Sequence, residues 1–342
     1  MKILFIGFGS VAKEMARIFT EPEKYPSLTL SPHVTGIFTA RHGGITDKAG
    51  LDLASVLKSL HETGRLSEKP EEQSELTPLE AAQTLDYDVL VELSSLNIKE
   101  AGEPAASHIR AALSRGKDVV SANKGPVAFH WKELTELAKK KGATYLFESA
   151  VLDGAPVFNL ASRCMKGATV SGFSGVLNGT TNFILSHMEK GGTFEEGLKQ
   201  AQAEGIAEAD PTMDTDGWDP AAKTAALANV LMGAEITPLE VKRTGISQIT
   251  PQMAQEALSR GRRIKLLCAA HRVNGKIEAT VAPQEVAKDD IMALVSHFGA
   301  ALRIESDLLH PTVIMQECPD LTDTAFGVIE DLITIERATR KS

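Results

Sequence analysis

Residues 2–19, K-I-L-F-I-G-F-G-S-V-A-K-E-M-A-R-I-F, decide the fold. Lys2 to Gly7 is a short apolar run ending in a glycine turn, and from Val11 to Phe19 the apolar residues recur at helical spacing, so the chain opens strand, turn, helix. Gly7, Gly9 and Ala12 then fit the G-x-G-x-x-G/A fingerprint of a dinucleotide site. The first glycine makes the turn, the second admits a diphosphate to the backbone, and the small third residue lets helix pack on strand. Phe8, Ser10 and Val11 fill out the turn, whose helix N-terminus offers amides to phosphate.

Working outward, His33 to Phe38 reads as the second strand, where an acidic residue would read the ribose of NAD. Thr39, Ala40, Arg41 and His42 stand there instead, and an arginine suits a 2′-phosphate, so NADP is the preferred cofactor, with NAD possible, although Arg41 reads equally as a solvated loop residue. Residues 43–80 are polar and weakly patterned, with a charged patch near Ser67 to Glu75 that reads as loop or exposed helix. Asp88 to Leu93 is the next strand, followed by Ser94 and Ser95, a helix over Pro104 to Arg115, and a strand over Asp118 to Ser121 that ends in A-N-K-G-P. In an open parallel sheet the ligand lies beyond the carboxyl ends of the strands, so Ser94, Ser95, Ser121 and Lys124 are expected to face the cofactor crevice. A helix over Val127 to Lys141 and a strand over Ala143 to Phe147 complete a doubly wound α/β domain.

Beyond it the alternation changes, and a second α/β domain is expected. Gly167 to Leu177 reads as a strand, N-G-T-T-N as a polar turn, and Phe183 to Glu189 and Phe194 to Glu204 as helices; a helix is also expected over Asp289 to His297. Between them runs G-I-A-E-A-D-P-T-M-D-T-D-G-W-D-P-A-A-K, Gly205 to Lys223, in which five carboxylates precede one lysine. Asp219 is a candidate N-cap with Pro220 at the first helical position, and Ala221 to Met232 is strongly helix-forming with Gly233 as its stop. That helix is apolar nearly all round, so Lys223 is expected to be buried and held by Asp219 four residues earlier. Desolvation and the helix dipole lower the pKa of such a lysine while carboxylates raise it, which suits a proton carrier near neutrality. Taken alone, the stretch favours the plainer reading, an acidic surface loop before a lysine whose charge reaches water.

Composition narrows the class. A chain of 342 residues with 43% apolar content can bury two cores, and a net charge of -9 without basic tracts excludes a nucleic-acid footprint. No apolar run approaches the roughly 20 residues that span a bilayer, and the N-terminal strand is not a signal peptide. Cys164, Cys268 and Cys318, odd in number and far apart, form neither a disulfide framework nor a structural zinc site, which suits a reducing cytoplasm.

Five runs resemble homoserine dehydrogenases in order and separation: GFGSVA, DVLVELS, KDVVSANKGPVA, GVLNGTTNFIL, and above all AQAEGIAEADPTMDTDGWDPAAK. The likeness runs from Lys2 to about Leu332. It implies NAD(P)-dependent interconversion of L-homoserine and L-aspartate 4-semialdehyde, a homodimer, and a place in threonine and methionine biosynthesis. It also implies that Lys223 is the catalytic lysine with Lys124 as the second near the reacting alcohol, that Glu208, Asp214, Asp219 and Thr180 line the substrate, and that Gly205 lies near the cofactor. Glu148 and the carbonyls of Val151, Asp153 and Ala155 fall where the family binds a monovalent cation, a set of oxygen ligands suited to a hard ion. Expected boundaries are a nucleotide-binding Rossmann domain over 1–148, a catalytic and dimerisation domain over 149–303, and a segment over 304–342 packing back on the first.

Two loops depart from the family pattern. Val151-Leu152-Asp153-Gly154 replaces V-G-G-G or V-A-G-G, and Cys318-Pro319-Asp320-Leu321-Thr322-Asp323 replaces a G-P-G-A-G turn. Glycine permits dihedrals and approaches that other residues do not, so both loops bear on substrate and cofactor preference. The alternatives they leave are a related dehydrogenase of another small hydroxy or amino acid, and a catalytically silent NADP(H)-binding homologue. The regulatory domain of longer members does not follow, so feedback inhibition of that type is not expected.

Overall fold

Strand β1 (Lys2–Ile6) places four buried apolar residues in a row, the pattern of a strand covered on both faces. In the computed structural model, which describes residues 1–339, β1 pairs in parallel with β2 (His33–Thr39). β3 (Gly43–Thr46) and β4 (Gln73–Ser74) extend that side antiparallel. On the other side of β1 the parallel sheet continues through β5 (Val89–Glu92), β6 (Asp118–Ser121) and β7 (Tyr145–Leu146). The strand order β4-β3-β2-β1-β5-β6-β7 therefore reverses between β1 and β5, and this is the switch point at which a Rossmann sheet binds its dinucleotide.

Residues 43–80, weakly patterned in sequence, hold β3, β4 and the helix Leu53–Thr63, which Asp52 caps through the amide of Ala54. The final helix, Leu321–Thr339, buries Ala325, Val328, Ile329 and Leu332 in one core with Met15, Ala16 and Ile18 of the helix Ser10–Thr20. Helix and sheet thus share one apolar core, and the C-terminal segment belongs to the nucleotide-binding unit.

The chain divides into Met1–Pro156 with everything from Asp320 onward, and Val157–Pro319. Both boundaries differ from the expected 148/149 and 303/304. Residues 149–156 stay with the first unit because the Ser149 hydroxyl donates to the Thr324 carbonyl at 2.7 Å and Gly154 lies against the backbone of Asp323 and Gly327. Residues 304–319 stay with the second because they are part of its sheet. There β8 (Val170–Val176), β9 (Lys242–Arg243), β10 (Arg262–Val273), β11 (Lys276–Ala287), β12 (Ala300–Ser306) and β13 (Thr312–Gln316) stand in the order β13-β12-β8-β10-β11-β9. All neighbours are antiparallel except β9 and β11.

The helices Gly179–Glu189, Trp218–Met232 and Pro251–Ser259 pack on β10. Lys265 of β10 is fully buried there, donating to the Asn182 side-chain oxygen and the Val295 carbonyl, both at 2.7 Å. Asn182 in turn donates to the carbonyl of His297 at 2.9 Å, which ties the polar turn to residues 295–297. Because that stretch spends its polar groups on these ties, the helix expected over Asp289 to His297 is a single turn, Ile291–Leu294, capped by Asp290.

Candidate active site and cofactor site

In the second unit β8 delivers Leu177 and Asn178 to the start of a helix. Asn178 caps it, its side-chain oxygen accepting from the Thr181 amide at 2.9 Å. Its amide nitrogen is then free to turn outward, and it donates to Asp214 at 2.6 Å and to Asp219 at 3.1 Å. Lys223 donates to the Leu177 carbonyl at 2.7 Å and stands 3.3 Å from Asp219. The lysine and Asp219 side chains are only 13% and 14% exposed, so their attraction is less screened than that of a surface pair. The Asp214 carboxyl is pushed up from its ordinary value by burial and then by the charge of Asp219, against the pull of Asn178, Lys223 and Thr180.

The helix that carries this lysine begins earlier than expected. It runs from Trp218 to Met232 with Gly217 at its N-cap in the left-handed region, so Asp219 lies inside the first turn instead of capping it. Its carboxylate is thereby left to Asn178 and Lys223. Arg243 fixes the same turn from outside, stacking its guanidinium 3.7 Å from the Trp218 ring centroid and donating to the Asp216 carbonyl.

Thr180, Asp214, Asp219 and Lys223 are therefore one cluster, and Glu208 and Gly205 lie outside it. Glu208 is exposed and makes no hydrogen bond or ion pair with the cluster among the described residues; only its carbonyl is engaged, by Gln202 at 3.0 Å. Gly205 is likewise exposed, in a left-handed turn after the helix Phe194–Ala203.

In the first unit Gly7 has φ of +88°, and a Cβ there would fall 2.5 Å from the Leu93 carbonyl carbon and 2.6 Å from the Ser94 nitrogen. Only glycine allows β1 to turn against β5 so closely. Phe8 is buried and packs edge-on to Phe5, while Gly9 and Ser10 are exposed and Val11 is half-buried at the start of the helix. Ser95 is exposed and Ser94 half-buried at the carboxyl end of β5. Ser121 corrects the expectation that it faces the crevice. It is fully buried and donates to the Glu92 carbonyl at 2.9 Å, because a polar side chain closing a central strand must find a partner inside.

Lys124 is the first residue of the helix Lys124–Lys141, three residues before the expected start, because Asn123 caps it through the Gly125 amide at 2.9 Å. Arg41 follows β2 and lines a cleft of about 540 Å³ together with His42, Arg65, Ser67, Glu68 and Gln73. Two arginines and a histidine meet there, and that suits a phosphate monoester.

Glu148 is buried, and its amide donates to Asp331 at 2.8 Å. Leu152 and Asp153 both hold positive φ, 54° and 48°, so the loop keeps a glycine-like path without the glycines. Gly154 has no room for a side chain, since a Cβ would run into the Asp323 carbonyl. Among the described residues no group of three or more His, Cys, Asp or Glu is placed to hold a metal ion, so a cation here would depend on backbone oxygens. The oxygen-bearing set of Glu148, Val151, Asp153 and Ala155 fits a monovalent ion in donor chemistry.

Three residues of these sites were not among the sequence candidates. Asn178 and Arg243 act on the carboxylate turn from other elements, and Arg65 reaches the Arg41 cleft from beyond the helix Leu53–Thr63. Only Asn178 carried a signal, the asparagine of N-G-T-T-N at a strand-to-helix turn.

Comparison with known proteins completes the assignment. The family profile described as homoserine dehydrogenase matches residues 156–333, and that of the homoserine dehydrogenase NAD-binding domain matches residues 7–148. A homoserine dehydrogenase from Methanocaldococcus jannaschii is 36% identical over the whole of both chains. An NAD(+)-dependent homoserine dehydrogenase from Pseudomonas canavaninivorans is 35% identical over 99% of this chain and 97% of its own. A hyperthermophilic archaeal homoserine dehydrogenase solved with NADPH superimposes with a TM-score of 0.82 at 29% identity, covering 100% of this chain and 98% of that one. With an NAD(P)-binding Rossmann unit ahead of a lysine and carboxylate cluster on a mixed sheet, this chain belongs to the homoserine dehydrogenase family.

Proposed function

We propose that the protein oxidises L-homoserine to L-aspartate 4-semialdehyde with NAD(P), and reduces it in the opposite direction. The observation that carries this reading is the Asn178-bridged pair Asp214 and Asp219 with Lys223 at 3.3 Å from the second carboxylate. Oxidation requires the hydroxyl oxygen to lose its proton while the carbon that bears it loses hydride, for which a nicotinamide held at the Gly7 turn would supply the acceptor. Lys223 takes the proton as a neutral amine, and as an ammonium returns it during reduction. Lys124 is the second amine assigned to the reacting alcohol.

Asp214, Asp219 and the Thr180 hydroxyl bind the amino-acid substrate, two carboxylates being suited to its ammonium group. Glu208 joins them in the substrate-bound enzyme, and Gly205 lies beside the cofactor. Gly7, Phe8, Gly9, Ser10 and Val11 hold the diphosphate, with Ser94 and Ser95 at the carboxyl end of β5. Arg41, supported by the basic cleft it shares with Arg65 and His42, reads a 2′-phosphate, so NADP is the preferred cofactor. A monovalent cation at Glu148, Val151, Asp153 and Ala155 is supported by the glycine-like path of that loop. Homodimer assembly and a cytoplasmic place in amino-acid biosynthesis belong to the same reading, supported by family membership.

The test is initial-rate oxidation of L-homoserine followed as nicotinamide absorbance with NADP and then NAD. Saturable turnover that is faster with NADP supports both parts of the reading. Binding of NADPH without turnover of homoserine would overturn the substrate assignment.

A further inference from the structure

Behind the Ser94 turn lies a buried polar cluster that the assignments above leave unused. Glu92, the last residue of β5, is 0% exposed, and His108 of the helix Ala105–Ser114 is 4% exposed with its Nδ1 3.5 Å from Glu92 Oε1. Glu92 Oε2, His108 Nδ1 and the hydroxyl of Tyr145 are all buried without a hydrogen-bond partner among the described residues. A carboxylate placed this deep is costly, and an apolar residue at the end of a central strand would stabilise the sheet better. Its presence calls for an explanation other than packing.

Glu92 Oε1 supplies one. It accepts from the Ser94 hydroxyl, and from the Ser94 amide at 3.3 Å. Asn123 grips the same residue from the next turn, its side-chain nitrogen donating to the Ser94 carbonyl at 3.0 Å. Leu93 donates to the Ile6 carbonyl at 2.7 Å, and the Gly7 turn rests on the backbone of Leu93 and Ser94 with no room for a side chain. Moving Ser94 therefore moves the ledge on which the glycine turn sits.

We propose that Glu92 is a positioning residue for the cofactor: its carboxyl group, with the His108 ring packed behind it, locks Ser94 and so fixes the glycine turn that receives the dinucleotide. The inference rests on the reading of the Gly7 and Ser94 turns as the dinucleotide site. Glutamine fills the same space but replaces one of the two carboxyl oxygens with a donor NH2 group, so Glu92→Gln loosens the lock on the Ser94 hydroxyl and amide without emptying the space.

The test is a double-mutant cycle of Glu92→Gln and Ser94→Ala on the full chain, read as the NADPH dissociation constant by nicotinamide fluorescence and as the homoserine KM. Each single variant is expected to weaken NADPH about tenfold, the double variant no more than the weaker single one, and the homoserine KM to stay within about twofold. His108→Gln is expected to weaken NADPH in the same direction by less, and Glu92→Asp, which keeps the carboxyl group, to bind NADPH more tightly than Glu92→Gln does; an Asp variant no better than the Gln variant would count against the lock. Additive losses, or a Glu92→Gln protein with unchanged NADPH affinity, would overturn the proposal. So would a parallel loss of homoserine and NADPH binding, the pattern of general loosening. Should Glu92→Gln fail to fold, the cycle of His108→Gln with Ser94→Ala asks the same question, and additivity there would also overturn it. If the unmodified protein binds neither NADPH nor NADH, its own titration shows that the dinucleotide reading has failed, and this inference with it.

Discussion

Lys223 donates to the carbonyl oxygen of Leu177 at 2.7 Å, joining a helix residue to the end of a strand 46 positions earlier. The same nitrogen stands 3.3 Å from the Asp219 carboxylate, so strand end and helix turn both hold it. Lys223→Ala removes the proton carrier while leaving its alanine-rich helix intact, so kcat for homoserine should fall by about 10²-fold or more with NADPH affinity unchanged. Initial rates and nicotinamide fluorescence on the same preparation check both halves. An unaltered kcat would take Lys223 out of the chemistry.

Asp214 predicts a trade between stability and activity. Its pKa is raised in the folded protein, first by burial and then by Asp219, so the folded state resists ionising it. The sign follows: below the unfolded value of about 3.9 the carboxyl is neutral in both states, and as pH rises through the folded value the unfolded chain gains the advantage. Asp214→Asn can still accept from Asn178 and removes that cost. Its Tm should rise by about 2 °C at pH 7, with the gain shrinking toward pH 4, while kcat/KM for homoserine falls about tenfold or more. Thermal unfolding at the two pH values and initial rates measure it, and a lowered Tm at pH 7 would contradict the argument.

Arg41→Ala should weaken NADPH by about tenfold and NADH by less than about twofold, since a charge-assisted contact to the 2′-phosphate is lost in only one of them. Equal losses would mean that the Arg41 cleft does not read the phosphate.

Lys265 offers a test of the second unit alone. Burial lowers its pKa to about 8, against about 10.4 in an unfolded chain. A depressed lysine contributes stability at high pH and loses it as pH falls through the folded value, because the buried amine must then carry charge. Lys265→Met should destabilise by about 2 kcal/mol at pH 8, since the Asn182 oxygen loses its donor. The gap between the two proteins should widen between pH 8 and about 10, and urea denaturation at both values reads it. A gap that narrows would mean that the amine is charged throughout.

What the chain disclosed in sequence follows from how local each signal is. The glycine turn after β1 and the pairing of Asp219 with Lys223 depend on neighbours one helical turn away, so periodicity and spacing reach them. Asn178 meets Asp214 and Asp219 across 36 and 41 residues, and no local pattern encodes such a contact. Arg65 was hidden for a related reason: its stretch is polar because it lines an open cleft, and polarity without period looks like a loop. Ser121 misled because position at a strand end was taken to fix direction, whereas the free hydroxyl of a buried residue turns to the nearest carbonyl, here that of Glu92. The boundaries moved because β12 and β13 pair with each other and with β8, a bond pattern that no composition shift announces.

The helix Leu321–Thr339 belongs to the core of the nucleotide-binding unit although some 160 residues of the other unit come between, Val157 through Pro319. During synthesis the two units therefore mature in the reverse of their order in the chain. Val157–Pro319 is contiguous, and all six strands of its sheet have been made before the ribosome reaches Asp320. The Rossmann unit, though begun first, waits with the apolar face of Met15, Ala16 and Ile18 uncovered until that last helix emerges. Its fingerprint is translated before every strand of the other unit's sheet and is sealed after them.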